Sequence, residues 1–341
     1  MKRFFVFLGV VLMTIGSAVS AQEVGSMAPL QKSSWGDAKT ADIVEYIPDI
    51  SVDMRGGYVQ DFAENAGRFC GDGLFLNVDG KISDSFSYSW NQSIAPSYGE
   101  FNSGFAETNW LLLTYEVGDF SFSAGKDALL VGSFEYNANT IDSYFDMNSM
   151  FYNMFDCWQF GVSAAWYPAE DQAVIAQISN SPFAYGEPGL FSYSAAWQGA
   201  WDFYESYWTA NLWEFETGKF TKALNFGNRF YISDFTVDLE YMTRTHKLKG
   251  LLTDDFTVLV APSYEWTWGR AFAKYGFEHV TENLPYELAY DSGNFMFYGA
   301  GLEFFPLKEN KNVRVHAAWM GHTIGISTLD IGLTWKMDIT N

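Results

Sequence analysis

The chain has 341 residues, of which 41 are acidic and 20 basic, and the net charge of -21 excludes nucleic acid as a partner because its phosphates would be repelled. Its mean hydropathy is -0.08, and past the first 21 residues no apolar run reaches the ~20 residues that a membrane-spanning helix needs. Aromatic residues make up 19% of the chain, with 30 Gly and 9 Pro, a composition that favours β-strands with one apolar face and one small, polar face.

The N-terminal residues have the pattern of a secretory signal peptide. Lys2 and Arg3 precede an apolar stretch that ends in small residues, and we expect cleavage near Ala21. Removal of residues 1–21 leaves 18 basic against 41 acidic residues, a net charge of -23. Residues 22–48 show little alternation and are expected to form a periplasmic N-terminal extension or a partial plug.

Large apolar and small polar residues alternate with a period of two along residues 49–341. Phe86, Tyr88 and Trp90, for example, alternate with serines and an asparagine, as in a strand with one apolar face. Many of these segments run about 9–12 residues, the length of a strand that crosses a bilayer at a tilt, whereas strands of soluble proteins are typically ~5–6 residues long. We therefore predict an all-β fold, a porin-like transmembrane antiparallel β-barrel over residues 49–341.

The connections between the strands are predicted to be short and long in strict alternation, as in bacterial outer-membrane barrels. Seven short and eight long connections give about sixteen strands with both termini in the periplasm. The short ones are placed at Asp79-Gly80, Gly118-Asp119, 168–171, 202–205, Ser233-Asp234, 266–269 and 307–312. The long ones are placed at 63–73, 93–108, 129–156, 181–190, 215–222, 246–254, 281–293 and 321–327.

The last strand, residues 328–338, is also amphipathic, with Leu329, Ile331 and Leu333 on one face. A C-terminal strand of this kind is what barrel-assembly machinery engages, so this machinery and outer-membrane lipid are expected partners. The chain departs from the common pattern by ending at Asn341 rather than at an aromatic residue.

Two cysteines, Cys70 and Cys157, would meet an oxidising environment after export, and an even number permits one disulfide. Both are predicted at the ends of long loops on the same side of the barrel, and a disulfide between them is one prediction. Neither has a second Cys or His at ligand spacing, so no metal site or cofactor is predicted.

The four histidines do not suggest catalysis. They are scattered along the second half of the chain and none lies in a catalytic motif: His246, His279, His316 and His322. Because an enzyme would need a nucleophile, a base and an orienting group at one place, no enzymatic activity is predicted.

Charged residues of the strands fall on the small-residue face, which in a barrel faces the lumen. Rings of charge can set the selectivity of a pore; the alternative is that these groups only solvate and cross-link the wall. The pore candidates on the strands are Arg55, Arg229, Asp238, Glu240, Arg244 and Arg314, and the other inward charges are Asp53, Lys274, Glu278, Asp330, Lys336 and Asp338.

Three segments resemble the phosphate-selective porin O and P family, in particular its members from Bacteroidetes-type bacteria. They are residues 47–62 (IPDISVDMRGGYVQDF), 74–94 (LFLNVDGKISDSFSYSWNQSI) and 120–136 (FSFSAGKDALLVGSFEY). The resemblance implies a sixteen-stranded porin, a homotrimer as its assembly, and a third extracellular loop folded into the lumen. Residues 129–156, the longest predicted connection, occupy the place of that loop.

The loop does not carry the basic residues that phosphate selectivity would need. It offers Glu135, Asp142 and Asp146, and only Lys126, beside Asp127, stands at its start. An anion would be repelled there, so the family's phosphate preference is not expected to apply.

The functional prediction is a channel for passive diffusion of small hydrophilic solutes or ions, narrowed by the third loop and biased toward cations. The alternative is an outer-membrane barrel that acts as a surface adhesin or binds glycans or Ca²⁺ through its acidic loops. The loops supply oxygen ligands, but no twelve-residue calcium loop is present.

Overall fold

The computed structural model describes residues 47–94, 108–138, 140–144, 149, 157–184, 188–247, 250–281, 292–308 and 310–340. The predicted signal peptide, residues 1–21, and the predicted extension as far as residue 46 lie outside this part of the chain. Among the residues it covers, no helix has the length and apolarity needed to cross a bilayer.

Sixteen strands account for most of the described chain, and a short 3-10 helix, Thr140–Asp142, lies between β5 and β6. The strands are β1 Asp49–Asp61, β2 Ala66–Ser83, β3 Phe86–Ser93, β4 Thr108–Val117, β5 Phe120–Ala128, β6 Trp158–Ala169, β7 Gln172–Asn180, β8 Phe191–Trp201, β9 Tyr204–Glu216, β10 Lys219–Ile232, β11 Phe235–Thr245, β12 Asp255–Trp266, β13 Gly269–Val280, β14 Gly293–Phe304, β15 Val313–His322 and β16 Ile326–Asp338.

The strands form one closed antiparallel barrel. Each strand pairs with its neighbours in the sequence, and β1 pairs with β16 over the register from Ser51 with Asp338 to Asp61 with Thr328. Closure gives every strand two partners, so no strand keeps an open edge. This confirms the predicted all-β barrel of about sixteen strands.

Alternation along each strand separates an outer apolar face from an inner face. In β8, Phe191 and Tyr193 are exposed on the outer face, whereas Ser192 and Ser194 are buried on the inner face. Directly paired residues on adjacent strands share a face, so the outer apolar surface continues around the wall. The barrel therefore has the outer surface that lipid requires.

Connections alternate between the two ends of the barrel. Seven lie at the end that carries residues 49 and 338, and eight lie at the opposite end, which we call the far end. Turns were predicted correctly at Gly118-Asp119 and Ser233-Asp234, where Gly118 and Ser233 adopt positive φ angles of 58° and 57°.

The predicted turn at Asp79-Gly80 is wrong. Asp79 and Gly80 lie within β2 and pair with Ser89 and Tyr88, and the chain turns after β2 ends at Ser83. A Cβ on Gly80 would lie 2.5 Å from the hydroxyl of Tyr88, so the glycine makes room for a cross-strand ring rather than for a turn.

Three of the predicted long connections are also wrong, because the strands around them extend further. Residues 63–73 mostly belong to β2, which begins at Ala66; residues 215–222 reduce to two residues between β9 and β10; and residues 321–327 reduce to three between β15 and β16. Glycine and charge inside these segments resemble loop composition, but the backbone continues the ladder.

The predicted disulfide is absent from the structure, in which Cys70 and Cys157 are not bonded to each other. Cys70 lies inside β2, paired with Gly57 of β1, whereas Cys157 immediately precedes β6 and its carbonyl accepts a bond from the N–H of Leu129. Three strands, β3 to β5, separate the two positions, because the segment around Cys70 is wall rather than loop.

The seam between β1 and β16 provides a test of closure. Gly57 pairs with Gly332, and a Cβ at Gly57 would lie 2.3 Å from the carbonyl oxygen of Ile331, a backbone atom that cannot move without opening the ladder. Gly57→Val is expected to cost ~1–3 kcal/mol or more and to lower the temperature at which the folded form loses its distinct gel mobility. Gly71→Val is the matched control because a Cβ there meets nothing within 4 Å. An equal loss in both variants would contradict this account.

Candidate functional site

The inner face of the barrel carries buried charges of both signs. Among inward-facing strand residues that are less than 9% exposed, six are acidic and four are basic. They are Asp53, Glu240, Asp255, Glu278, Glu303 and Asp330, against Arg55, Arg244, Lys274 and Arg314. Buried charges are costly unless they are paired, so their partners define the site.

The connection between β5 and β6, the third at the far end, enters the lumen. Its first residues, Leu129 and Val131, are completely buried and belong to an apolar cluster with the inward-facing Trp213 of β9 and Met242 of β11. The N–H of Leu130 donates to Gln177 of β7 at 3.1 Å. Apolar contacts therefore fix the start of the loop to the inside of the wall.

Gly132 allows the loop to lie flat against the wall. Its N–H donates to the hydroxyl of Thr209 at 2.9 Å, and a Cβ there would lie 2.5 Å from the carbonyl oxygen of Tyr207. Any larger residue would push the loop away from β9.

Glu240 of β11 holds the next turn of the loop. Its carboxylate accepts bonds from the hydroxyl of Ser133 at 2.5 Å, the N–H of Phe134 at 2.7 Å and the N–H of Glu135 at 2.9 Å. These three donors satisfy a carboxyl group that would be costly to bury without hydrogen-bond partners. Glu240 is therefore an anchor of the loop rather than an open charge in the lumen.

Two ion pairs lie beside this anchor. Glu135 of the loop accepts from the ammonium of Lys274 at 2.8 Å, and both side chains are buried. Arg229 makes a two-point contact with Asp238, at 2.6 and 2.9 Å, and its guanidinium lies 4.2 Å from the ring centre of Phe134.

The 3-10 helix brings Asp142 to the opposite part of the wall. Its carboxylate pairs with Arg314 of β15 and, at 3.0 Å, with Lys336 of β16. Burial pushes the pKa of Asp142 upward, but the charges of Arg314 and Lys336 outweigh it and hold the pKa below its usual value. Asp142 is thus ionised and cross-links two strands.

Tyr144 completes this attachment. Its hydroxyl donates to Glu303 of β14, and its ring stacks on His316 with centroids 4.2 Å apart. Burial, together with the charge of Glu303, raises the pKa of Tyr144, so the phenol keeps the proton that it donates. Arg55 of β1 donates to the carbonyl oxygens of Ile141 and Ser143, at 3.4 and 2.5 Å.

A cavity of about 520 Å³ lies between the loop and the wall. It is bounded by loop residues from Phe134 to Tyr144 and by strands β10 to β13. It extends as far as Asp234, an exposed residue of the turn at the end that carries residues 49 and 338.

Most of the predicted pore residues lie on the inner face or in the loop, as the preceding contacts describe. Asp127 also faces inward, and so does Arg244, which lies 3.8 Å from Asp255. Asp146 lies outside the described residues.

The prediction that Lys126 faces the pore is wrong. It pairs with Leu111 and Phe160, both exposed on the outer apolar face, and its ammonium donates to the carbonyl oxygen of Thr108 at 2.6 Å. The residue therefore lies on the outer face near the far end, because period-two alternation through Phe122 and Ala124 carries position 126 outward.

Glu303 and Arg270 were missed as candidates, although they form a pair at 2.6 Å below the loop. The signal was present in the sequence. In β14, Gly299 and Gly301 share a face with Glu303, opposite Leu302 and Phe304, the same small-residue face that marked the other inward charges.

The described residues contain no group of three His, Cys, Asp or Glu side chains arranged to hold a metal ion.

Comparison with known proteins finds one family model that matches part of the chain and solved structures that share its fold. The family model described as phosphate-selective porin O and P matches residues 60–197, which confirms the family resemblance found in the sequence. No curated protein matches the sequence.

Solved structures of porins share the fold. A loop-deletion mutant of OmpT, an outer membrane protein of Vibrio cholerae, aligns with a TM-score of 0.60 and 13% identity, over 86% of this chain and 100% of that chain. A double mutant of the Rh. blastica porin aligns with a TM-score of 0.57 and 12% identity, over 85% of this chain and 100% of that chain. At these identities the likeness shows the fold alone.

The attachment of Asp142 predicts a pH dependence. A carboxyl whose pKa is lowered by pairing contributes stability above its usual pKa and loses it as the pH falls through the lowered value. Amide-exchange protection of residues 140–144, corrected for intrinsic rates, is therefore expected to stay constant from pH 7 to about 4 and to fall below about 3.8. Asp142→Asn should lower the protection at neutral pH and remove its fall at low pH. Asp84→Asn, in an exposed turn, is the control and should keep that fall. If the fall at low pH persists in Asp142→Asn, the pH dependence does not come from Asp142.

Proposed function

We propose that this protein is an outer-membrane channel for passive diffusion of small hydrophilic solutes or ions, and that its third loop narrows the lumen. The family match and the closed barrel support an outer-membrane porin channel. The observation that carries the finer proposal is the set of contacts between residues 129–144 and the inner faces of strands on both sides of the barrel.

These contacts cross the lumen. The loop begins on β7 and β9, is held by Glu240 of β11 and Lys274 of β13, and reaches Arg314 and Lys336 of β15 and β16 through Asp142. A segment that spans this distance inside a barrel reduces the open cross-section. A loop that projected outward would make none of these contacts.

Charge supports a preference for cations. The buried inner face has six acidic and four basic groups, and the loop adds Glu135 and Asp142. Lys274, Arg314 and Lys336, which could attract an anion, are already paired with these carboxylates. The phosphate preference in the family's name is therefore not part of the proposal.

Three further elements of the proposal rest on the sequence and the class of protein. They are export by a signal peptide cleaved near Ala21, engagement by barrel-assembly machinery, and assembly as a homotrimer. Family and fold indicate a channel rather than an enzyme. No comparison supports the alternative of a surface adhesin or a protein that binds glycans or Ca²⁺.

Planar-bilayer recordings test the channel and the role of the loop. The purified protein is expected to produce discrete conductance steps. Deletion of residues 132–138 should increase the step because it removes the part held by Glu240, whereas deletion of seven residues at 247–253, in a different far-end loop, should leave it unchanged. The absence of any step from folded protein would refute the channel, and an unchanged step in the first deletion would refute the constriction.

Reversal potentials in a KCl gradient test the charge preference. The acidic excess predicts a potential of the sign that K⁺ selectivity gives, and screening should weaken it as the mean salt concentration rises. Glu278→Gln removes one buried inner carboxylate and should shift the potential toward zero, while Glu64→Gln, in an exposed turn, should not. A potential of the opposite sign would overturn the preference.

A further inference from the structure

We propose that the cavity beneath the third loop binds a neutral, polyhydroxylated solute, a saccharide of one or two rings, as it passes through the barrel. This inference rests on the proposed channel and names the substrate class of that same site. At about 520 Å³, the cavity falls within the ~300–1,000 Å³ of small-molecule sites.

Seven of the eight charged side chains that line the cavity are in ion pairs, and the eighth, Asp234, lies in an exposed turn at its edge. Arg229 pairs with Asp238, Lys274 with Glu135, and Arg270 with Glu303, at 2.6 to 2.8 Å. An incoming anion or cation would have to compete with a partner already held at hydrogen-bond distance, and it would also lose its own hydration. The walls therefore disfavour an ionic ligand of either sign.

The same pairs suit hydroxyl groups. A guanidinium has five N–H donors in a fixed fork, and the contact of Arg229 with Asp238 uses its Nε and one Nη2 donor. A carboxylate has about four lone-pair sites. Because each sugar hydroxyl both donates and accepts, it can bond to both members of a pair without separating them.

Aromatic rings line the cavity beside these pairs. Tyr144 of the loop and Phe272 of β13 lie with their centroids 5.5 Å apart, and both border the cavity, as does Phe134. The face of an aromatic ring is electron-rich and its edge is positive. The C–H groups on one side of a sugar ring pack on such a face, while the hydroxyls at the ring's edge reach the ion pairs.

A current-blocking experiment tests the site. With the full-length protein in planar bilayers, maltose is expected to block the ion current in a transient and saturable way. Gluconate and glucosamine, which carry opposite charges on a similar frame, should change the current only in proportion to their concentration. Phe272→Ala should weaken the apparent affinity for maltose by about 2–10-fold, the worth of one aromatic contact.

Two further variants separate binding from folding. Phe272→Leu keeps an apolar side chain of similar size but removes the ring face, and it should lose affinity to the same extent. Trp110→Phe alters an inner aromatic residue of β4, outside the cavity lining. Maltose should block the current through this variant as it does in the unmodified protein.

The outcomes distinguish this inference from the proposed function. If folded protein gives no conductance, the channel itself is refuted. If it conducts but maltose does not block, if the charged probes block as strongly, or if both Phe272 variants keep full affinity, the saccharide site is refuted and the channel stands.

Discussion

A β-strand at the edge of a sheet leaves a row of backbone N–H and C=O groups without partners, and in lipid each such group costs several kcal/mol. The pairing of β1 with β16 removes that cost, and the rest of the molecule depends on it. Closure forces every strand to place one face outward and one inward, so the apolar residues form a continuous outer surface. The ten buried charged residues of the inner face then share a lumen where they can reach one another.

The third loop supplies partners that the inner wall cannot provide for itself. Without the loop, Lys274, Lys336 and Glu240 would face an open, water-filled lumen, and packing of the loop against them removes that water. The loop places Glu135 and Asp142 against the two lysines and backbone N–H groups against Glu240. The same contacts therefore fix the position of the loop and lower the free-energy cost of burying these charges.

The sequence was sufficient to predict the barrel, its strand number and most inward charges, because period-two alternation directly reports which face a residue occupies. It misplaced features that depend on cross-strand neighbours: Asp79-Gly80 has the composition of a turn, and only the ring of Tyr88 explains the glycine within a strand. Lys126 was assigned to the pore because of its charge, although its register with Leu111 places it on the outer face. Cys70 was assigned to a long loop, although the segment around it belongs to β2. Which inner charge pairs with which loop residue could not be predicted, since those partners are over 100 residues apart in the chain.

The attachment of the loop joins two distant parts of the chain. Its first residues and Glu240 lie within the part of the chain that ends at β11. Asp142 and Tyr144, in contrast, are held by β14, β15 and β16, the last strands along the sequence. The site that holds residues 142–144 is therefore complete only when β14, β15 and β16 have all joined the wall. The position of this part of the loop thus depends on the same strand, β16, whose pairing with β1 closes the barrel.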